Sequence, residues 1–167
     1  EEDMSALSHP LALVYKRKKP TGYGLHYIGA TSAIAEAALI RTALSMLTEE
    51  GHKNMRVELN CVGDRDSLSS YERELLAYAR KHGTNLAPEL KESLKEDVFN
   101  MFRRDEEEMM VLRHGAPSSL AYLSSSSRNH FKEVVEFVEG MGIEFGLENA
   151  LVGEKNHSSH TVFGIRS

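Results

Sequence analysis

Apolar residues come in short bursts along this chain, and the spacing inside each burst predicts the elements. Residues 1 to 9 are polar and acidic and read as a loose arm. Leu11-Ala12-Leu13-Val14-Tyr15 is a short apolar run followed by Lys16-Arg17-Lys18-Lys19-Pro20. That pattern predicts a strand running out into a basic turn, with Pro20 and Gly22 as breakers. Tyr23 to Gly29 predicts a second strand, so the two form a hairpin. Ile34, Ala37, Ala38, Leu44 and Leu47 recur at helical spacing and predict a helix over 32–50, with Gly51 as its stop. Arg56 to Asn60 alternates and reads as a strand. Gly63-Asp64-Arg65-Asp66-Ser67 then turns the chain and offers an N-capping carboxylate to a helix that runs to about His82, where Gly83 ends it.

From 84 to 123 the texture changes. Short amphipathic pieces around 88–94, 97–102 and 106–112 and a turn at Gly115-Ala116-Pro117 predict a small all-helical insertion. The serine cluster Ser124 to Ser127 suits the start of a helix over 128–139, with Phe131, Val134, Val135 and Val138 as its buried stripe. Two strands follow, over 143–148 and 161–165, separated by a polar loop. No internal repeat is visible. Strands and helices without regular βαβ alternation argue for an α+β fold with an antiparallel or mixed sheet.

Composition narrows the class without naming a chemistry. The 167 residues are 41% hydrophobic and 27% charged, which excludes a disordered chain, and they suffice for a core without disulfides or structural metal. No apolar run approaches the roughly 20 residues that cross a bilayer, so no membrane partner is expected. A net charge of −5 argues against a surface built wholly to grip nucleic acid. The single cysteine, Cys61, has no internal disulfide partner; it points to a reducing, cytoplasmic compartment and reads as an inert buried thiol. The chain starts at Glu1 with no signal peptide after it, and reads as a piece of something longer.

The motifs carry a resemblance. Glu36-Ala37-Ala38-Leu39-Ile40 resembles the D-A-E-x-I of histidyl-tRNA synthetases, which are class II aminoacyl-tRNA synthetases. Val57 through Ser67 resembles that family's L-x-L-N-S-x-G-D signature. Tyr71 to Leu90 is similar to the helices that open the family's insertion domain. Ala116-Pro117-Ser118, Tyr122-Leu123, His130-Phe131 and Gly142-Ile143 resemble the segment returning from it. Leu151-Val152 and Thr161-Val162-Phe163 fit, without a gap, the two ends of the histidine-binding motif L-V-R-G-L-D-Y-Y-x-x-T-V-F. The resemblance implies a partial class II synthetase-like antiparallel sheet with flanking helices, a core formed by 1–83 and 124–167, and a helical insertion at 84–123. The family's activity is ATP- and magnesium-dependent ligation of histidine to its tRNA.

The departures fall on the chemistry. Where the family's motif has R-G-L-D-Y-Y, this chain has Gly153, Glu154, Lys155, Asn156, His157 and Ser158. The resemblance implies that the arginine supports the reaction centre and the tyrosines shape the amino-acid pocket. Gly153 has no side chain to replace a guanidinium, and Glu154 carries the opposite sign. The family's ATP-site pattern F-R-x-E-R-P is matched by Tyr15-Lys16-Arg17-Lys18-Lys19-Pro20, with Lys16 for the phosphate-binding Arg and Lys18 for the adenine-orienting Glu. Lys16 would meet a phosphate as a point charge without bidentate geometry. Motif 1, motif 3 and the anticodon-binding domain have no counterpart here.

The expectation is therefore a domain without catalytic residues and with no cofactor of its own, ATP and magnesium belonging only to an intact family member. It would serve as a binding or regulatory module for a protein partner or a second copy of itself. A fragment of a longer ligase is one alternative. An RNA-binding remnant that uses Lys16, Arg17, Lys18 and Lys19 is another. His157 and His160 beside Ser158 and Ser159 read as a polar loop, since two ligands at i, i+3 without a Cys or carboxylate cluster fall short of a metal site. Arg103 to Glu108 reads as an exposed helix start with its acids at the positive dipole end, and Met109 and Met110 as core or interface fillers. Asp64 and Asp66 read as helix caps.

Overall fold

The structure, a computed structural model, describes residues 11–18, 21–153 and 160–167, with the backbone alone for 11–18 and 21–23. The chain forms two compact units, Glu1–Met55 with Lys132–Glu144 and Ser167, and Arg56–Phe131 with Phe145–Arg166.

In the first unit, β1 (Leu11–Lys18) and β2 (Thr21–Ile28) pair antiparallel, from Leu11 opposite Ile28 to Lys18 opposite Thr21. The basic residues Lys16, Arg17 and Lys18 therefore belong to the strand ladder, where sequence reading had them in a turn. Helix α1 (Ala33–Glu49) buries Ala33, Ala37 and Ile40. Ile34, expected on the buried stripe, is 50% exposed. Small alanines at 33 and 37 lie on the inner face, and the stripe is rotated by one position toward them. Gly51 at φ +94 closes the helix in the left-handed region that glycine enters without strain. The later turns of α6 (Ser125–Gly140) contribute buried Val134 and Val138 to this unit.

The second unit is organised by β3 (Arg56–Gly63). It pairs in parallel with β4 (Phe145–Leu147) and antiparallel with β5 (His160–Arg166), so the sheet is mixed, in the order β4-β3-β5. A register shift between Cys61 and Gly63 marks a β-bulge opposite the start of β5. Gly63 has φ +76, and a Cβ there would stand 2.5 Å from Ser67 Cβ and 2.8 Å from Leu123 Cδ2. Only glycine lets the strand turn this tightly into α2 (Arg65–His82).

Helices α3 (Pro88–Glu96), α4 (Asn100–Arg103) and α5 (Glu107–His114) follow, then a 3-10 turn at Ser119–Tyr122. Pro88 sits at the start of α3, where its missing N–H costs nothing. These helices and α2 share one hydrophobic core that includes Tyr71, Leu75, Leu90, Phe99, Met101 and Met109. Tyr71 is fully buried at its centre, its ring centroid 5.8 Å from Phe99 and 5.9 Å from Tyr122. Its hydroxyl donates to the Pro117 carbonyl at 3.1 Å, so the polar tip is satisfied. Met110, by contrast, is 41% exposed. Helix α6 begins at Ser125 with Ser124 in the capping role: its Oγ accepts from the Ser127 amide at 3.1 Å, and the other three serines of the cluster lie inside the helix.

Candidate functional site

Of the residues that resemble the histidine-binding motif, Leu151 to Gly153 follow β4 and Thr161 to Phe163 lie in β5, both in the second unit, and β3 holds the near end. Asn60 is 1% exposed between the buried Leu59 and Cys61, and a buried amide must find partners. Its Nδ2 donates to the Leu151 carbonyl at 3.0 Å and the Asn149 carbonyl at 3.4 Å, while its Oδ1 accepts from Ser119 Oγ at 3.0 Å. One side chain thus ties the strand, the 3-10 turn and the approach to the motif together. Val152 then buries itself in the core.

Gly153 follows with φ +67. Its carbonyl accepts from Arg103 Nη2 at 2.8 Å and Nε at 3.2 Å. The same guanidinium donates from Nη1 to Asp97 Oδ2 at 2.6 Å and lies 5.9 Å from the centre of the Phe99 ring. All three guanidinium nitrogens are thereby engaged. Glu154, Lys155, Asn156, His157 and Ser158 fall outside the described residues. The far end of the motif begins at His160, with φ +57, opposite Gly63 at the bulge. Its ring is 5.6 Å from that of His130. His160 Nδ1 and Thr161 Oγ1 are buried with no hydrogen-bond partner among the described residues.

Asp64 acts as a structural pin. Its Oδ1 accepts from the Ser67 amide at 2.9 Å and the Ser67 hydroxyl at 2.7 Å; its Oδ2 accepts from Ser124 Oγ at 2.5 Å and Ser127 Oγ at 2.9 Å. The Ser124 hydroxyl, then the Ser67 amide and the remaining hydroxyls hold this carboxyl well below the usual carboxylate range. A carboxylate this strongly solvated by donors is a poor proton acceptor, and its bonds go to the α2 cap and to serine hydroxyls. At the sheet end, Glu58 Oε2 accepts from Arg166 Nε at 2.6 Å, an exposed pair across β3 and β5.

The other predicted contacts are placed as follows. Lys16, Arg17 and Lys18 lie in β1 opposite Tyr23, Gly22 and Thr21, in the first unit; Lys19 falls outside the described residues. Cys61 is fully buried. Among the described residues, no group of three His, Cys, Asp or Glu side chains is placed to hold a metal ion, and no helix is long and apolar enough to cross a membrane. Sequence reading missed Arg103 and Asn60. Asn60 had a signal, an amide inside Val57-Glu58-Leu59-Asn60-Cys61-Val62. Arg103 had none, since its partner Gly153 is 50 residues away.

No family model matches the chain. Individual proteins do. It is 32% identical over 144 residues to the histidine–tRNA ligase of Synechococcus elongatus, covering 86% of this chain and 33% of the relative. It is 31% identical over 140 residues to that of Thermosynechococcus vestitus, covering 84% and 33%. With the enzyme of Limosilactobacillus fermentum it shares 26% over 142 residues, covering 85% and 33%. The chain thus spans about a third of the length of the curated relatives it matches. The structure of apo S. aureus histidyl-tRNA synthetase superposes with a TM-score of 0.59 at 19% identity, covering 92% of this chain and 37% of that one. Sequence likeness along most of the chain and a shared fold identify it as a histidyl-tRNA synthetase-like, class II aminoacyl-tRNA synthetase domain.

Proposed function

We infer that this domain does not form histidyl-adenylate and works as a binding or regulatory module related to the synthetases. The observation that carries the reading is Gly153. It stands where the resemblance calls for an arginine, and its left-handed backbone is held by Arg103 through the carbonyl. Arg103 does not stand in for the missing guanidinium, because Asp97 and the Gly153 carbonyl already occupy it. Adenylate formation needs positive charge preorganised where negative charge develops, and a committed ion pair supplies little of it. Lys16 and Lys18, in place of the ATP-site Arg and Glu, point the same way. Such a module would act in the cytoplasm on a protein partner or a second copy of itself.

The test is histidine-dependent exchange of pyrophosphate into ATP with magnesium supplied. The expected result is no exchange above the histidine-free background, and measurable exchange overturns the reading. A second reading is favoured by one observation, the coverage of only a third of each relative: the chain would be a segment of a longer histidine–tRNA ligase-like protein. The intact mass of the native protein separates the two. A mass near 18.7 kDa supports the module, and a mass well above it supports the segment.

A further inference from the structure

The second unit carries a groove of about 620 Å³ between the last turns of α2 and helix α3, remote in sequence from the histidine-motif segment. Its floor is Leu76, Ala79, Leu86 and Leu94. Leu86 and Leu94 belong to the core itself, and the other two are half-buried. Gly83 keeps one end tight: a Cβ there would stand 2.6 Å from the Ala79 carbonyl oxygen and 2.9 Å from Leu86 Cδ1.

The rim is cationic. Arg80, Lys91 and Lys95 line it, all exposed, and none of the described residues that line the groove is acidic. Lys91 Nζ donates to the Thr84 carbonyl at 2.7 Å, which fixes that ammonium at the rim and leaves two of its N–H groups available. Lys95 is paired at 2.7 Å with Glu92, a surface pair at 72% and 63% exposure and therefore weak. Arg80 makes no ion pair among the described residues, so its fork is free to hold a carboxylate bidentately. Three cations around an apolar slot, with Glu92 the acid beside one of them, are a local exception in a chain of net charge −5.

We propose that this groove binds a small amphiphile with an apolar chain and a terminal carboxylate, its chain on Leu76, Ala79, Leu86 and Leu94 and its head group against Arg80, Lys91 and Lys95. Charge complementarity selects the anion, and the floor selects the chain. The volume falls within the usual range of small-ligand sites, roughly 300–1,000 Å³. A protein partner would need about 800 Å² on its side, and none of the exposed large apolar residues Ile34, Met110, Val111, Phe137 and Leu147 lines this groove. The site is independent of the histidine-motif reading and stands or falls separately.

Decanoate below its micelle concentration is the probe, titrated into the full chain and followed by amide ¹H–¹⁵N shifts, with decanol as the uncharged control and acetate as the head group alone. The expected result is saturable shifts confined to the amides of Ala79, Gly83, Thr84 and Leu86. Decanol should bind about tenfold more weakly and acetate not measurably, as loss of a charge-assisted contact implies. The triple variant Arg80→Gln, Lys91→Gln, Lys95→Gln should lower decanoate affinity by a similar factor. Non-saturable or dispersed shifts, equal affinity for decanol, or an unchanged triple variant would each overturn the proposal. The decanol comparison decides on the unmodified protein even if the variant folds poorly.

Discussion

Removing the Asp64 carboxylate tests how the two helix starts of the second unit are joined. In Asp64→Ala, α2 loses its N-cap, worth about 0.5–2 kcal/mol, and the hydroxyls of Ser124 and Ser127 lose their acceptor. Because the site is half-exposed and water replaces part of what is lost, each hydroxyl bond counts for about 0.5–1 kcal/mol. The total is about 1.5–4 kcal/mol, or roughly 3–16 °C in Tm for a chain of this length. Asp64→Asn keeps a good cap and loses only the charge, so it should cost about 1 kcal/mol. The sign with pH follows from the lowered carboxyl. Its stabilisation is complete above the ordinary value of 3.8 and is lost as pH falls below it, through the folded-state value. The advantage of the native protein over Asp64→Asn should therefore hold at neutral pH and shrink progressively below about pH 4. Urea unfolding followed by far-UV circular dichroism at neutral and acid pH reads all three quantities. A cost for Asp64→Ala under about 0.5 kcal/mol, or a difference from Asp64→Asn that ignores pH, would refute the pin.

Substitutions at two other positions probe the core and the turn that position the motif. Tyr71→Ala should cost about 3–5 kcal/mol by leaving a large cavity, whereas Tyr71→Phe should cost about 1 kcal/mol for the lost bond to Pro117. Burial pushes the Tyr71 phenol above its ordinary 10.0, so stability should fall as pH rises past that value, and Tyr71→Phe should remove that part of the loss; an alkaline urea series checks it. Gly63→Ala combines a left-handed backbone with a 2.5 Å approach to Ser67 Cβ and should destabilise by about 2–5 kcal/mol in thermal unfolding.

What could be read before the structure was local. Asp64-Arg65-Asp66-Ser67 announced a capped helix, Gly83 its end, and Phe131, Val134 and Val138 a buried stripe, because caps and periodicity act within a few residues. The pieces of 84–123 were legible as helices for the same reason. What failed was set by distant partners. Ile34 fits the helical spacing but faces outward, since the alanines on either side of it decide the inner face. The parallel pairing of β4 with β3 depends on a connection nearly the whole length of the second unit. The Arg103–Gly153 contact joins residues from a helix end and a motif that no local rule brings together. In the candidate site, the substitutions from Gly153 to Ser158 were visible as chemistry, while the manner in which Gly153 is held was visible only in three dimensions.

The central claim, that the altered motif no longer makes a histidine pocket, is tested most directly by isothermal titration of L-histidine into the native chain. The account predicts no saturable heat at millimolar ligand. A dissociation constant in the micromolar range, which corresponds to about −8 kcal/mol of binding free energy, would contradict it.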